Sequence, residues 1–426
     1  MIWIFLGILF FFLFLGVPVA FSMLASAIGL TFALGIFDGK IIAQNLVNGA
    51  NSFPLMAIPF FILAGEIMNE GGISKRVVNF ATTLVGHIKG GLGYVTILAG
   101  IMFAGLSGSA VADTAALGAI LIPMMASRGY DLNRSSGLVA SSGIVAPVIP
   151  PSIPLIMFGV IGGVSITQLF MAGIVPGLML AGGLMIAWFL VSRKGDFEVI
   201  EKATGKERIR AFFQAIWALF LPIIIIVGLR GGIFTPTEAA VVACVYAFII
   251  SVTAYRGDLK LKNIPNVLVN ASKTTGVVMF LAASAMVTAW VITVAQVPEQ
   301  LVSYLTGITE NPTLLLLVLM FFLLLVGCVM DMTPAILIFT PVLLPVVESV
   351  GIDPVYFGIL MIINLCIGLI TPPVGTVLYV ACGISKISII DITKGIWPFL
   401  AVQTAVLILL VLFPEIVTVP LDWLYE

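Results

Sequence analysis

Two pairs of short stretches set hydroxyls and an acid beside prolines within otherwise apolar sequence, the mixture of groups that holds a small hard cation. The first pair is GLSGSAVADT (Gly105 to Thr114) with GIVAPVIPPS (Gly143 to Ser152), and the second is GCVMDMTP (Gly327 to Pro334) with GLITPPVGT (Gly368 to Thr376). Proline removes a backbone donor and clashes with the preceding turn, so each Pro-Pro step breaks a membrane helix and frees carbonyls there. Carbonyls and hydroxyls suit Na⁺, and helix N-termini at the same breaks favour an anionic group. One cation site per pair is therefore expected. Ser107, Ser109 and the carbonyls of Gly143 and Pro147 are the candidates in the first, Asp331, Thr333, Gly368 and Thr371 in the second. Substrate is expected between the sites, against Pro150, Pro151, Ser152, Pro372, Pro373 and Thr376. Asp113 is a further candidate, because an intramembrane carboxylate is costly. The competing reading is local: membrane Ser and Thr back-bond to their own helices, and Asp113 or Asp331 can cap a hairpin helix.

Other chemistries fit less well. Gly105-Leu106-Ser107-Gly108 matches the GxSG string of intramembrane serine proteases, where a histidine must reach the serine as base. The one histidine, His87, precedes it in a segment expected at the interface, and no HExxH or paired-aspartate motif occurs. No enzymatic activity is expected. A passive channel does not require paired broken helices. The four cysteines, Cys244, Cys328, Cys366 and Cys382, lie in apolar runs without metal-ligand spacing and read as small core residues.

The elements that position these groups follow from composition. The 426-residue chain is 61% hydrophobic and 9% charged, against roughly 25% charged in a soluble domain. This makes it an all-α polytopic membrane protein, since apolar runs of helix-spanning length exclude an outer-membrane barrel. No basic tract suggests nucleic acid. The N-terminus has no positive n-region and no cleavage site, and reads as a retained first span. Residues 1–52 form an N-terminal membrane region in which Gly16 and Pro18 leave open one helix or two. Residues 53–191 form a first repeat, with a re-entrant hairpin at about 92–126 and a broken helix at about 136–161. Residues 192–274 hold a polar linker and two connecting helices. Residues 275–426 form a second repeat, with a hairpin at about 313–350 and a broken helix at about 354–384.

The repeat is visible position by position. From 150 to 372 the Pro-Pro step recurs at a shift of 222, and the same shift pairs Gly105 with Gly327, Pro123 with Pro345, Ser127 with Ser349, Gly129 with Gly351 and Asp131 with Asp353. It also pairs Gly173 with Gly395 and Pro176 with Pro398. Such coincidences mean shared backbone geometry. If each hairpin is re-entrant, each copy crosses three times and the copies are inverted. Charge agrees: Lys75, Arg76, Lys89, Arg128 and Arg134 flank the first hairpin, whereas Glu299, Glu310, Glu348 and Asp353 flank the second without Lys or Arg. The linker Ser192 to Arg210 and the loop holding Arg256, Lys260 and Lys262 are expected in the cytoplasm by the positive-inside rule. Glu415, Asp422 and Glu426 are expected outside. Lys40 and Arg230 run against the pattern.

With SGSAVADTAALGAILIP, GYD, IPPS, FTPTEAA and TPPVG in this order, the chain resembles the large membrane subunit of tripartite ATP-independent periplasmic (TRAP) transporters, the DctM-like family. The resemblance implies a Na⁺-driven importer of small organic acids, such as a C4-dicarboxylate, a sialic acid or a sugar-derived keto acid, working as an elevator in the bacterial inner membrane. It also implies two partners, a small four-helix membrane subunit and a periplasmic substrate-binding protein. A stand-alone Na⁺/carboxylate symporter of related inverted-repeat architecture is the alternative. Pro147 adds a proline to the first break that the second lacks, so ligation need not be symmetric.

Overall fold

The computed structural model describes residues 1–193, 197–255, 259–306 and 311–425. Arg256, Glu310 and Glu426, used above for orientation, lie outside them. The N-terminal apolar stretch is two helices, α1 (Ile2–Phe14) and α2 (Val19–Leu34). Gly16, left-handed at φ 78°, and Pro18, at the N-cap of α2, make the break. A short amphipathic helix, α3 (Gly39–Ala50), follows, capped by Asp38. Sequence patterning left this segment unassigned.

The first repeat then runs α4 (Ala57–Glu70, preceded by a 3₁₀ turn), α5 (Ile73–Val85), α6 (Gly91–Ser107), α7 (Ala110–Ala126), α8 (Leu132–Gly143), α9 (Ile153–Gly162) and α10 (Ile166–Ser192). The connecting helices are α11 (Gly205–Arg230) and α12 (Pro236–Thr253), each opened by a capping box, Thr204 with Glu207 and Thr235 with Glu238. Glu238 is thus a capping acid, as its TPTEAA context suggests.

The second repeat is α13 (Ile264–Val294), α14 (Val297–Thr306), α15 (Pro312–Gly327), α16 (Met332–Ser349), α17 (Pro354–Gly368), α18 (Thr376–Ser385), α19 (Ile389–Leu412) and a terminal α20 (Glu415–Tyr425). Among the described residues the fold is all-helical, and seven helices are long and apolar enough to cross a bilayer. Two segments differ from the sequence reading. α13 begins eleven residues before the expected Thr275, because Lys273 and the polar turn around it sit inside the helix and not before it. Residues 415–425 form a helix of their own after Phe413 ends α19.

The two copies match at the turn and cap before each broken helix. Asp131 and Asp353 cap α8 and α17, accepting the Arg134 and Tyr356 amides at 2.8 Å each. Ser127 and Ser349 each donate back to a carbonyl three residues earlier. Gly129 and Gly351 are both left-handed.

Packing sorts the helices into two groups. In one, α13 packs on α2, α3 and α4, with α12 on α4 and α11 on α5. In the other, α8 lies between α7 and α19, α15 packs on α17, and α16 packs on α9 and α17. The first halves of the broken helices form the centre, since Val355 to Gly368 of α17 and Ser135 to Gly143 of α8 are buried without a gap.

Candidate functional site

Each hairpin tip meets the break of its own repeat, backbone against backbone. In the first, Gly108 links α6 to α7 at φ 60°, and a Cβ there would stand 2.7 Å from the Pro151 carbonyl oxygen. In the second, a Cβ on Gly368 would stand 2.5 Å from the Gly327 carbonyl carbon, so only two glycines allow the approach. The Val374 amide donates to the Cys328 carbonyl at 3.2 Å, tying break to tip. The pairing expected from sequence is therefore present as contact in both halves.

Around the first tip, Ser109 caps α7 by accepting the Ala112 amide at 3.3 Å, and its own amide donates to Ser107 Oγ at 3.1 Å. Ser107 Oγ donates in turn to Asp113 Oδ1. Asp113 is buried and its Oδ2 has no protein partner. The same holds for Thr114 Oγ1, which presses on Gly143 so closely that a Cβ there would stand 2.0 Å away. An unpartnered buried acceptor costs about 1–3 kcal/mol, and two buried side-chain oxygens at this tip, Asp113 Oδ2 and Thr114 Oγ1, are in that position. Thr114 was not singled out from sequence, though Asp-Thr beside the tip was the available signal. At the break, the Gly143 carbonyl accepts the Ala146 amide at 3.2 Å. The Pro147 carbonyl accepts Ser152 Oγ at 2.5 Å, while Ser152 caps α9 through the Leu155 amide.

Around the second tip, Asp331 takes the N-cap position of α16 with no side-chain capping bond. Thr371 Oγ1 back-bonds to the Ile367 carbonyl at 2.7 Å, and the Gly368 carbonyl accepts the Thr371 amide at 3.0 Å. Thr376 opens α18. Both Pro150–Pro151 and Pro372–Pro373 bonds are cis.

The two tips share one cavity of about 540 Å³. Ser107 and Ser109 enter it from the first tip, Asp331 and Thr333 from the second. Asp113 lies behind Ser107. None of the residues expected to touch substrate lines it; Ile153 and Pro154 do so beyond the first break and Leu369 at the second. The opposite wall belongs to α4 and α13, including Glu66, Asn69, Lys273 and Thr274. All four come from helices that carry no break, so no sequence motif marks them as part of the site. No group of three or more His, Cys, Asp or Glu side chains gathers among the described residues.

Comparison with known proteins places this architecture. A Haemophilus influenzae protein named as a TRAP transporter large permease protein is 60% identical over 94% of this chain and 100% of its own. The 2,3-diketo-L-gulonate TRAP transporter large permease protein of Escherichia coli is 51% identical over 99% of both chains. The sialic acid TRAP transporter large permease protein of Vibrio cholerae is 39% identical over 95% and 94%. Among solved structures, the Alcanivorax borkumensis YdaH transporter, described as having an unusual topology, superposes with a TM-score of 0.65 at 14% identity, covering 89% of this chain and 90% of its own. That likeness concerns the fold alone. The family model for the DctM component of tripartite ATP-independent periplasmic transporters matches residues 6–416, and the chain belongs to that family of membrane transport subunits, not to an enzyme family.

Proposed function

We propose that this subunit imports a small organic acid across the bacterial inner membrane, driven by co-transported Na⁺. The observation that carries the reading is the meeting of the two hairpin tips at a single cavity, with the Ser107 and Ser109 hydroxyls from one and the Asp331 carboxylate and Thr333 hydroxyl from the other. Ser107, Asp113, Thr114 and Gly143 hold one Na⁺, and Asp331, Thr333, Gly368 and Thr371 the other. Relatives named for 2,3-diketo-L-gulonate and sialic acid support an organic acid as cargo. A small four-helix membrane subunit completes the complex, and a periplasmic protein delivers the acid. The hairpins and broken helices move together as an elevator against the group built on α11 to α13, and the C-terminus faces the periplasm. Two Na⁺ with a monoanion carry net positive charge inward, and each such charge gains about 2.3 kcal/mol per 100 mV of inside-negative potential.

The test is uptake into proteoliposomes holding both membrane subunits, with substrate-loaded binding protein outside. Uptake should require a Na⁺ gradient, the small subunit and the binding protein together. Uptake that persists in K⁺-only buffer would sink the cation assignment, and uptake by this chain alone would favour a stand-alone symporter.

A further inference from the structure

The cavity wall facing the tips is made by two helix stripes of identical spacing. Phe61, Ile62, Gly65, Glu66 and Asn69 line it from α4, and Lys273, Thr274, Val277, Val278 and Leu281 from α13. In each, positions i, i+1, i+4, i+5 and i+8 share one face of a helix, giving about 12 Å of wall. The two helices run antiparallel, because Asn263 at the start of α13 donates to Glu70 Oε1 at the end of α4 at 2.6 Å. Their polar positions therefore fall at the same end of the wall, with Val277, Val278 and Leu281 continuing it as an apolar surface.

Among the described residues Lys273 is the sole basic side chain lining the cavity, whereas Glu66 and Asp331 are the acids. It sits nine residues into α13, about 14 Å from the helix start, on the stripe that lines the cavity. A lysine placed only to snorkel toward water needs no such register with the lining residues. Lys273 has no ion pair with any described residue. An organic anion entering a space bounded by two carboxylates needs a counter-charge beyond the one Na⁺ that Asp331 neutralises.

We propose that Lys273 binds the carboxylate of the transported acid, so that the anion is gripped between the tips and a cation on the facing wall. This rests on the organic-acid reading above. Lys273 is a substrate-binding residue in this assignment and takes no part in holding Na⁺.

The experiment compares wild type, Lys273→Gln and Lys273→Arg in proteoliposomes carrying both membrane subunits. It measures half-saturating concentrations of acid and of Na⁺ separately, using succinate, N-acetylneuraminate and 2,3-diketo-L-gulonate as probes with their binding proteins. For the acid that wild type takes up, Lys273→Gln should raise the half-saturating concentration roughly tenfold or more, the loss expected when one partner of a charge pair is removed. Lys273→Arg should restore most of it, and the Na⁺ value should stay unchanged in both. An unchanged acid value in Lys273→Gln, or an equal shift in the Na⁺ value, would overturn the role of Lys273 while leaving the importer reading intact. Wild type that takes up none of the three acids would overturn both.

Discussion

Asn364 Nδ2 donates to the Met320 carbonyl at 2.5 Å, bolting the first half of the second broken helix to its hairpin. At the position 222 residues earlier, Ser142 Oγ donates to the Thr96 carbonyl at 3.1 Å and does the same in the first repeat. Both bonds are buried, and both hold a broken helix that has lost part of its own ladder.

Replacing Asn364 by Leu should lower stability by about 1–3 kcal/mol, the cost of deleting a buried polar contact in a packed position. A falling melting temperature in detergent, with an unchanged Na⁺ half-saturation in the folded fraction, is the expected result. A change in Na⁺ affinity alone would show that Asn364 serves the ion and not the packing.

Gly108 and Gly368 should tolerate no side chain. Gly108→Ala places a Cβ on the Pro151 carbonyl and keeps a left-handed backbone that costs about 1–2 kcal/mol outside glycine. Gly368→Ala drives the second tip away from its break. Uptake should collapse in both variants while the protein still reaches the membrane, as read by transport per reconstituted molecule. Uptake near the wild-type rate in Gly368→Ala would show that tip and break need not touch.

Asp331→Asn should weaken Na⁺ dependence far more than Glu238→Gln. Losing a charged ligand costs about 1.4 kcal/mol or more, roughly tenfold in half-saturating Na⁺. Glu238 only closes a capping box whose acceptor Gln retains. Equal effects would remove Asp331 from the ion site.

Tyr255 gives a prediction in pH. Its hydroxyl donates to the Gln214 carbonyl at 2.7 Å beneath Arg76, whose guanidinium lies 4.0 Å from the ring centroid. Burial pushes the phenol from 10.0 to about 12. The folded state thus holds the proton more tightly, and its contribution is complete below pH 10 and lost as pH rises toward 12. Melting curves should show that alkaline loss in wild type and a shallower one in Tyr255→Phe; identical slopes would refute the assignment.

The breaks, hairpins and repeat were legible because proline and glycine act locally, and a shift of 222 aligned them without knowledge of packing. Glu238, three residues after Thr235, was legible as a capping acid for the same reason, whereas Asp131 and Asp353 were visible only as a matched pair of the repeat. The ends of α13 were not: Lys273 looks like a flank when read by hydropathy, and only packing against α4 and the two tips draws it inside. Thr114 escaped notice because its significance depends on Gly143, twenty-nine residues away in sequence. The cavity is lined from α4, α6, α7, α9, α13 and α16, and α4 and α13 carry no break, so no local pattern announces that wall.

The two breaks are secured differently. Ser152 turns its hydroxyl back onto Pro147 within its own break, whereas Val374, at the matching place 222 residues on, gives its amide to the opposing tip. Among the described residues the first tip is seated on its break by fit alone, and the second is latched to its own by a directional bond. The two repeats thus share a backbone plan but not the way tip is joined to break, so their likeness stops at that seam.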